Sequence, residues 1–238
     1  MDEVKAYLDE RKIEINMHLS LLSALEKRST EAIEPDGEFN VNVRQLLILK
    51  ASILIHLYNV VEATMAKSLE VIEKAIHRHH PKEYSEVLFN EWVTCNLKIS
   101  NEVNISKLNV RAQNMGKLLL SDSGWGKLSI QKTDGNWDDK RIMDFAKKLG
   151  IKLVYPRNFQ AELRAPYFND LSKMQYIRKR RNDLAHGLVT FENGADKKTL
   201  SELNELAKVT LKFMGLVVHG INEFIDSDKF LRKTAQSS

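Results

Sequence analysis

The sequence predicts an all-α protein, a helical bundle with a mixed helix-and-loop insertion in its middle. Three observations predict it. Among 238 residues there are only 10 Gly and 4 Pro, too few chain-breakers for the many tight turns of an all-β fold. Hydrophobic residues make up 43% and charged residues 29%, a globular balance that argues against a disordered chain. Apolar residues recur at three- and four-residue spacing over long stretches, the period of amphipathic helices. No internal repeat, low-complexity tract or long linker divides the chain. Residues 1–238 therefore read as one helical domain with an insertion at about 81–157.

The elements follow in order. Ile15, Leu19, Leu22 and Leu25 place a first helix at about residues 3–26, and Pro35, Asp36 and Gly37 then make a turn. A second, long helix covers about 42–77. Its middle is apolar nearly all round, as the central helix of a bundle should be, except for a narrow stripe of Ser52, His56, Asn59 and Glu62. In the insertion, 83–97 and 106–120 read as helices, and 121–137 as a loop with a short hairpin around 128–131. A short helix over 138–149 is closed by Gly150. After Pro166 a helix capped by Asn169 or Asp170 runs to Ala185 or His186 and stops at Gly187. Thr199 and Glu202 have capping-box spacing and open a last helix to about Phe224.

Charge and cysteine usage narrow the class. The formal net charge of +4 and a pI near 9.0 suit an anionic partner without requiring one. Cys95 is alone, so neither an intramolecular disulfide nor a thiolate metal cluster can form. The first residues alternate charge with apolar side chains, unlike a signal peptide. The richest apolar stretch, 46–65, carries Lys50, His56, Asn59 and Glu62, which favours a buried helix over a membrane span. A cytosolic protein is expected.

The stretch 173–187, KMQYIRKRRNDLAHG, carries the chemistry. Lys173, Arg178, Lys179 and Arg180 place cations on one helix, suited to RNA phosphates. The plainer reading is a solvated helix end whose cations complement the dipole. His186 closes the helix beside Gly187. Asn182 lies one turn before it on nearly the same face, and Arg181 lies about 140° around but has a long side chain. An imidazole, an amide and a guanidinium suit RNA transesterification. Histidine can take or give a proton near neutral pH, and a guanidinium forks onto phosphate oxygens as charge builds there. One histidine cannot easily make both proton transfers, so pairing of two copies is attractive.

At RNDLAHG, residues 181–187, the chain resembles the ribonuclease group of the HEPN superfamily, whose signature is arginine, a polar residue, three more residues and histidine. The resemblance covers the bundle helices, about 42–77 and 166–225; a weaker likeness extends to 138–150 and the Gly-Asn before it. It implies an antiparallel bundle of four to five helices that dimerises with its motif helices facing each other. It also implies a metal-independent endoribonuclease, often a toxin or phage-defence effector, with Arg181 and His186 catalytic and Asn182 the supporting polar residue. The implied partners are RNA, a second copy of the chain, and an antitoxin or other protein regulator, with no cofactor, metal or membrane. The alternative is a non-catalytic HEPN module that binds a nucleotide, RNA or a partner.

Other residues invite a role as well. Glu62, supported by Asn59, is expected either to orient Arg181 or His186 or to make a structural bond elsewhere, since a buried carboxylate needs a partner. His77, His79 and His80 invite a metal, but nothing nearby completes the set, so a frayed, solvated helix end is expected. Trp125 and Trp137 could stack on bases, though anchoring the insertion is the commoner use. Cys95 reads as a core residue.

Overall fold

A computed structural model describes residues 2–31, 41–97, 105–121 and 136–232. Nine α-helices and one 3-10 turn lie among these residues, with two isolated bridges and no strand. The architecture is the all-α bundle expected. The turn at Pro35–Gly37, the hairpin at 128–131 and Trp125 fall outside the described residues.

Helix α1 (Asp2–Glu31) extends beyond the expected bounds at its C-terminal end and packs along α2 (Val43–Ile76). Cross-links Glu26–Lys50 and Glu3–Lys67, each at 2.7 Å, make the pair antiparallel. Asn42 caps α2 and forms a capping box with Gln45, which pins its start where the sequence placed it. By length and mean hydropathy α2 could cross a membrane. Here its apolar residues, among them Ile53, Leu54, Leu57, Val61 and Met65, are buried against α1, α7, α8 and α9.

The middle of the chain departs from the expected 83–97 helix. Pro81–Glu83 is a 3-10 turn, and α3 (Glu86–Leu97) starts only after Ser85. The reason is that the C-terminal segment takes the intervening backbone groups: Ser85 N–H donates to the Phe230 carbonyl and Arg232 N–H to the Glu83 carbonyl, both at 2.7 Å. Of the histidines nearby, His77 is exposed at the end of α2 as expected, but His79 and His80 are engaged. His80 is buried and caps the 3-10 turn by accepting the Lys82 N–H at 3.0 Å, while His79 contacts Glu83 at 3.2 Å. Helix α4 (Ile105–Leu120) packs on α3, and so does α5 (Asp139–Leu149). Asp138 caps α5 and Gly150 ends it in the left-handed conformation, as the sequence required. Trp92, Trp137, Ile142 and Phe145 join the same apolar core as the bundle helices, and Trp137 meets Phe145 edge-on. Cys95 is half-buried, and burial raises its thiol pKa.

Downstream, a short helix α6 (Phe159–Arg164) precedes α7 (Lys173–Ala185). The cap of α7 is Ser172, not Asn169 or Asp170. Those two residues adopt left-handed φ angles of 47° and 60°, and form a tight turn in which Phe168 and Leu171 bridge. Ser172 and Gln175 then supply the capping box. Helix α8 (Phe191–Gly194) packs on α2 so closely that a Cβ on Gly194 would lie 3.0 Å from Ala51 Cβ. Thr199 and Glu202 make the expected capping box of α9 (Leu200–Asp226).

Candidate functional site

Arg181 lies at the centre of the candidate site, where α7 crosses α2. Its Nη2 donates to Glu62 Oε2 at 3.0 Å and its Nη1 to Asn182 Oδ1 at 3.0 Å. The guanidinium carbon stands 4.7 Å from the centre of the Tyr58 ring, a cation–π distance. Tyr58 and Glu62 are one turn apart on α2, so a single helix supplies both the platform and the carboxylate. Burial, with Glu62 adding to it, raises the Tyr58 pKa, and the Trp137 backbone bonds its hydroxyl. Of the two readings open for Glu62, the structure shows contact with Arg181. Asn59, next on the stripe, is exposed, whereas Ser52 and His56 face α1 instead.

Asn182 makes a second bond that the sequence did not suggest: its Nδ2 donates to Asn136 Oδ1 at 3.1 Å. Because one end of the amide serves Arg181 and the other Asn136, its orientation is determined by both. Asn136 begins a segment that runs antiparallel to α7. Asp138 accepts from Arg178 at 2.5 Å, and Asp139 accepts from the Ser172 hydroxyl at 2.7 Å. The insertion thus reaches the site through residues 136–139. Asn136 sits 46 positions from Asn182, and no spacing rule links residues so far apart.

His186 is exposed at the C-cap of α7, and its imidazole has no hydrogen bond or ion pair among the described residues. Gly187 follows at φ 67°. Its N–H donates to the Leu184 carbonyl at 3.2 Å and the Leu188 N–H to the Asp183 carbonyl at 2.8 Å, the paired bonds of a Schellman cap. The glycine therefore has a structural reason to be there. It also leaves the His186 edge open, since a Cβ at Gly187 would meet nothing within 4 Å.

The other cations are placed differently from the expectation that they face a phosphate chain together. Lys173 is buried and pairs with Glu205 at 3.0 Å. Arg178 is held by Asp138, Arg180 by Asp196, and Lys179 by Asp183 at 2.9 Å. Each carboxylate neutralises its partner; the Lys173, Arg178 and Arg180 pairs staple α7 to its surroundings, while the Lys179–Asp183 pair lies within α7. Among the described residues no group of three or more His, Cys, Asp or Glu is arranged to hold a metal ion.

A protein-family comparison matches residues 2–230 to the HEPN_MAE_28990-like HEPN family. Neither the curated proteins nor the solved structures compared with the chain give a match. The family match spans every helix described above, from α1 through the insertion and the Arg181–His186 helix to the end of α9, and the chain accordingly belongs to the HEPN superfamily.

Proposed function

We propose that this HEPN protein is an endoribonuclease that works as a homodimer without a catalytic metal. The observation that carries the reading is the Arg181 constellation: a guanidinium fixed by Glu62, Asn182 and Tyr58, one turn from an unengaged imidazole at an open helix end. Two of the five N–H donors of Arg181 are used by Glu62 and Asn182, which leaves three for the non-bridging oxygens of a phosphodiester. The 2′-oxygen attacks phosphorus as one imidazole takes its proton. The 5′-oxygen leaves with a proton from the partner's His186, giving a 2′,3′-cyclic phosphate and a free 5′-hydroxyl. Positive charge on Arg181 stabilises the dianionic transition state.

The test is cleavage of RNA by the purified chain in EDTA, with end-group analysis. His186→Ala and Arg181→Ala should each abolish cutting while the helical circular dichroism signal stays unchanged. Cutting at the wild-type rate by either folded variant refutes the assignment. The engagement of Arg181 by Glu62 and Asn182 also fits a second reading, a module that binds RNA without chemistry. RNA binding by the wild type with no cleavage selects that one. If the chain acts as a toxin or defence effector held in check by a protein regulator, its expression should arrest growth, and His186→Ala should relieve the arrest.

A further inference from the structure

Helix α1 is apolar on two sides. Val4, Leu8, Ile15, Leu19 and Leu22 are buried, and by the 3.6-residue period they share the side that packs on α2 and α9. On the opposite side Ile13 is 61% exposed, Met17 67% and Leu21 53%. Single exposed apolar residues are ordinary, but a stripe of them along one helix marks a contact surface.

That outer side has the pattern of a coiled-coil seam. Ile13, Met17, Ser20 and Ala24 follow one another at spacings of four, three and four, and all are exposed. This is the alternation of a and d positions in a heptad. Three residues further out at either end stand Glu10 and Lys27, also exposed. The seam therefore has an uncharged middle, an acidic end and a basic end. Ile13, Asn16, Met17 and Ser20 line a shallow groove on the helix surface. Their spacing is that of the four residues that form a hole for a side chain of a facing helix.

The seam fits a helix that carries the same pattern in reverse, and α1 is such a helix. The six seam positions are symmetric about the point between His18 and Leu19. Two copies laid antiparallel about that point set Ile13 against the partner's Ala24 and Met17 against the partner's Ser20. A large side chain meets a small one in each layer, which lets the helices approach closely. Glu10 faces the partner's Lys27, and the two-fold axis repeats each pair. A parallel pairing would instead set like charges against each other at both ends.

We infer that α1 pairs antiparallel with α1 of a second copy of this chain, along the seam from Glu10 to Lys27. The seam runs about 26 Å along the helix, so the contact is small and reversible. It lies apart from the candidate site. Helix α2 meets α1 through Ser52 and Lys67 but meets α7 through Tyr58 and Glu62, and the inference does not rest on the RNA reading. A chain that also pairs at its His186 edge would assemble beyond a dimer through these two contacts.

The experiment is thiol cross-linking of the full chain in a Cys95→Ser background, paired with sedimentation. In the antiparallel register the two copies of Ser20 are offset by about 4–5 Å along the axis, and the two copies of Lys5 by about 40 Å. A short bismaleimide should link Ser20→Cys into dimers and leave Lys5→Cys unlinked. Adding Met17→Glu should abolish the link and raise the dissociation constant about tenfold or more, with the helical circular dichroism signal unchanged. Glu10→Lys should weaken association, and Glu10→Lys with Lys27→Glu should restore it. The inference is overturned if Lys5→Cys links as readily as Ser20→Cys, or if Met17→Glu leaves the link intact. A chain that self-associates without the Ser20 link overturns it too, because another surface then makes the contact. So does a chain that stays monomeric, which would leave the stripe to a different partner.

Discussion

Arg181 is held by a carboxylate, an amide and an aromatic face, and these restraints have different strengths. The Arg181–Glu62 ion pair is 28% exposed on one side and 33% on the other. Solvent screens such a pair, so its net contribution to folding stays under about 1 kcal/mol. Its effect on geometry is larger. Without Glu62 the guanidinium is free to swing from the Tyr58 ring, and a displacement of about 1 Å can cost about 100-fold in rate. Glu62→Ala should therefore lower the RNA cleavage rate by about 10- to 100-fold with little change in melting temperature. Glu62→Gln, which can still accept from Arg181, should lose much less. Single-turnover kinetics distinguish the two, and wild-type cleavage by Glu62→Ala would show that Glu62 does not position the arginine.

At the scale of the element, α7 is fastened at both ends by chemistry that serves folding. At its C-terminus Gly187 occupies the left-handed position of the Schellman cap at φ 67°. Gly187→Ala should cost about 1 kcal/mol, read as a lowered melting temperature. A larger loss of cleavage than of stability would mean that the open edge at Gly187 also serves the substrate. At the N-terminus, Ser172 donates to Asp139 while accepting the Gln175 N–H. Burial raises the Asp139 pKa, an effect Ser172 opposes and Asp138 adds to. The folded protein holds that proton more tightly than the unfolded chain. This part of the stability is thus fully present below the ordinary carboxylate pKa and is lost as pH rises through the folded value. Asp139→Asn, which can still accept from Ser172, should remove that loss. The difference in melting temperature between variant and wild type should move in the variant's favour as pH is raised from 3 to 7. A difference that does not change with pH would contradict this.

At the scale of the whole molecule, apolar surface is left exposed beside the candidate site. Leu188 is 74% exposed immediately after the Schellman cap, and Phe191 on α8 is 40% exposed. In a Schellman cap the residue at the Leu188 position usually packs back on its own helix, so its exposure suits contact with a second copy. Leu188→Asp should weaken self-association, measured by sedimentation, and reduce cleavage in proportion at low protein concentration. Unchanged sedimentation would remove Leu188 from any dimer contact. Residues 136–139 are tied to α7 and α2, so changes in the insertion would reach Arg181 by two routes, Asn136 through Asn182 and Trp137 through Tyr58.

The sequence by itself determined the elements governed by local rules. The capping boxes at Asn42 and Thr199, the Asp138 and Gly150 ends of α5, and the Gly187 stop depend on residues within one or two turns of each other. The family resemblance was legible for the same reason, since the RNDLAHG signature lies within a single helix end. Ser172 was readable too, through Gln175, but Asn169 and Asp170 offered equally good cap chemistry one turn earlier. Only the tertiary structure decided which partner each charged side chain met. Lys173, Arg178 and Arg180 look like a phosphate-binding row in the sequence because their carboxylates, Glu205, Asp138 and Asp196, come from other parts of the chain. Glu62 with Arg181 and His18 with His56 are likewise joined across helices, 119 and 38 positions apart. Periodicity tells which face a residue occupies, but the packing of one helix on another determines what that face meets.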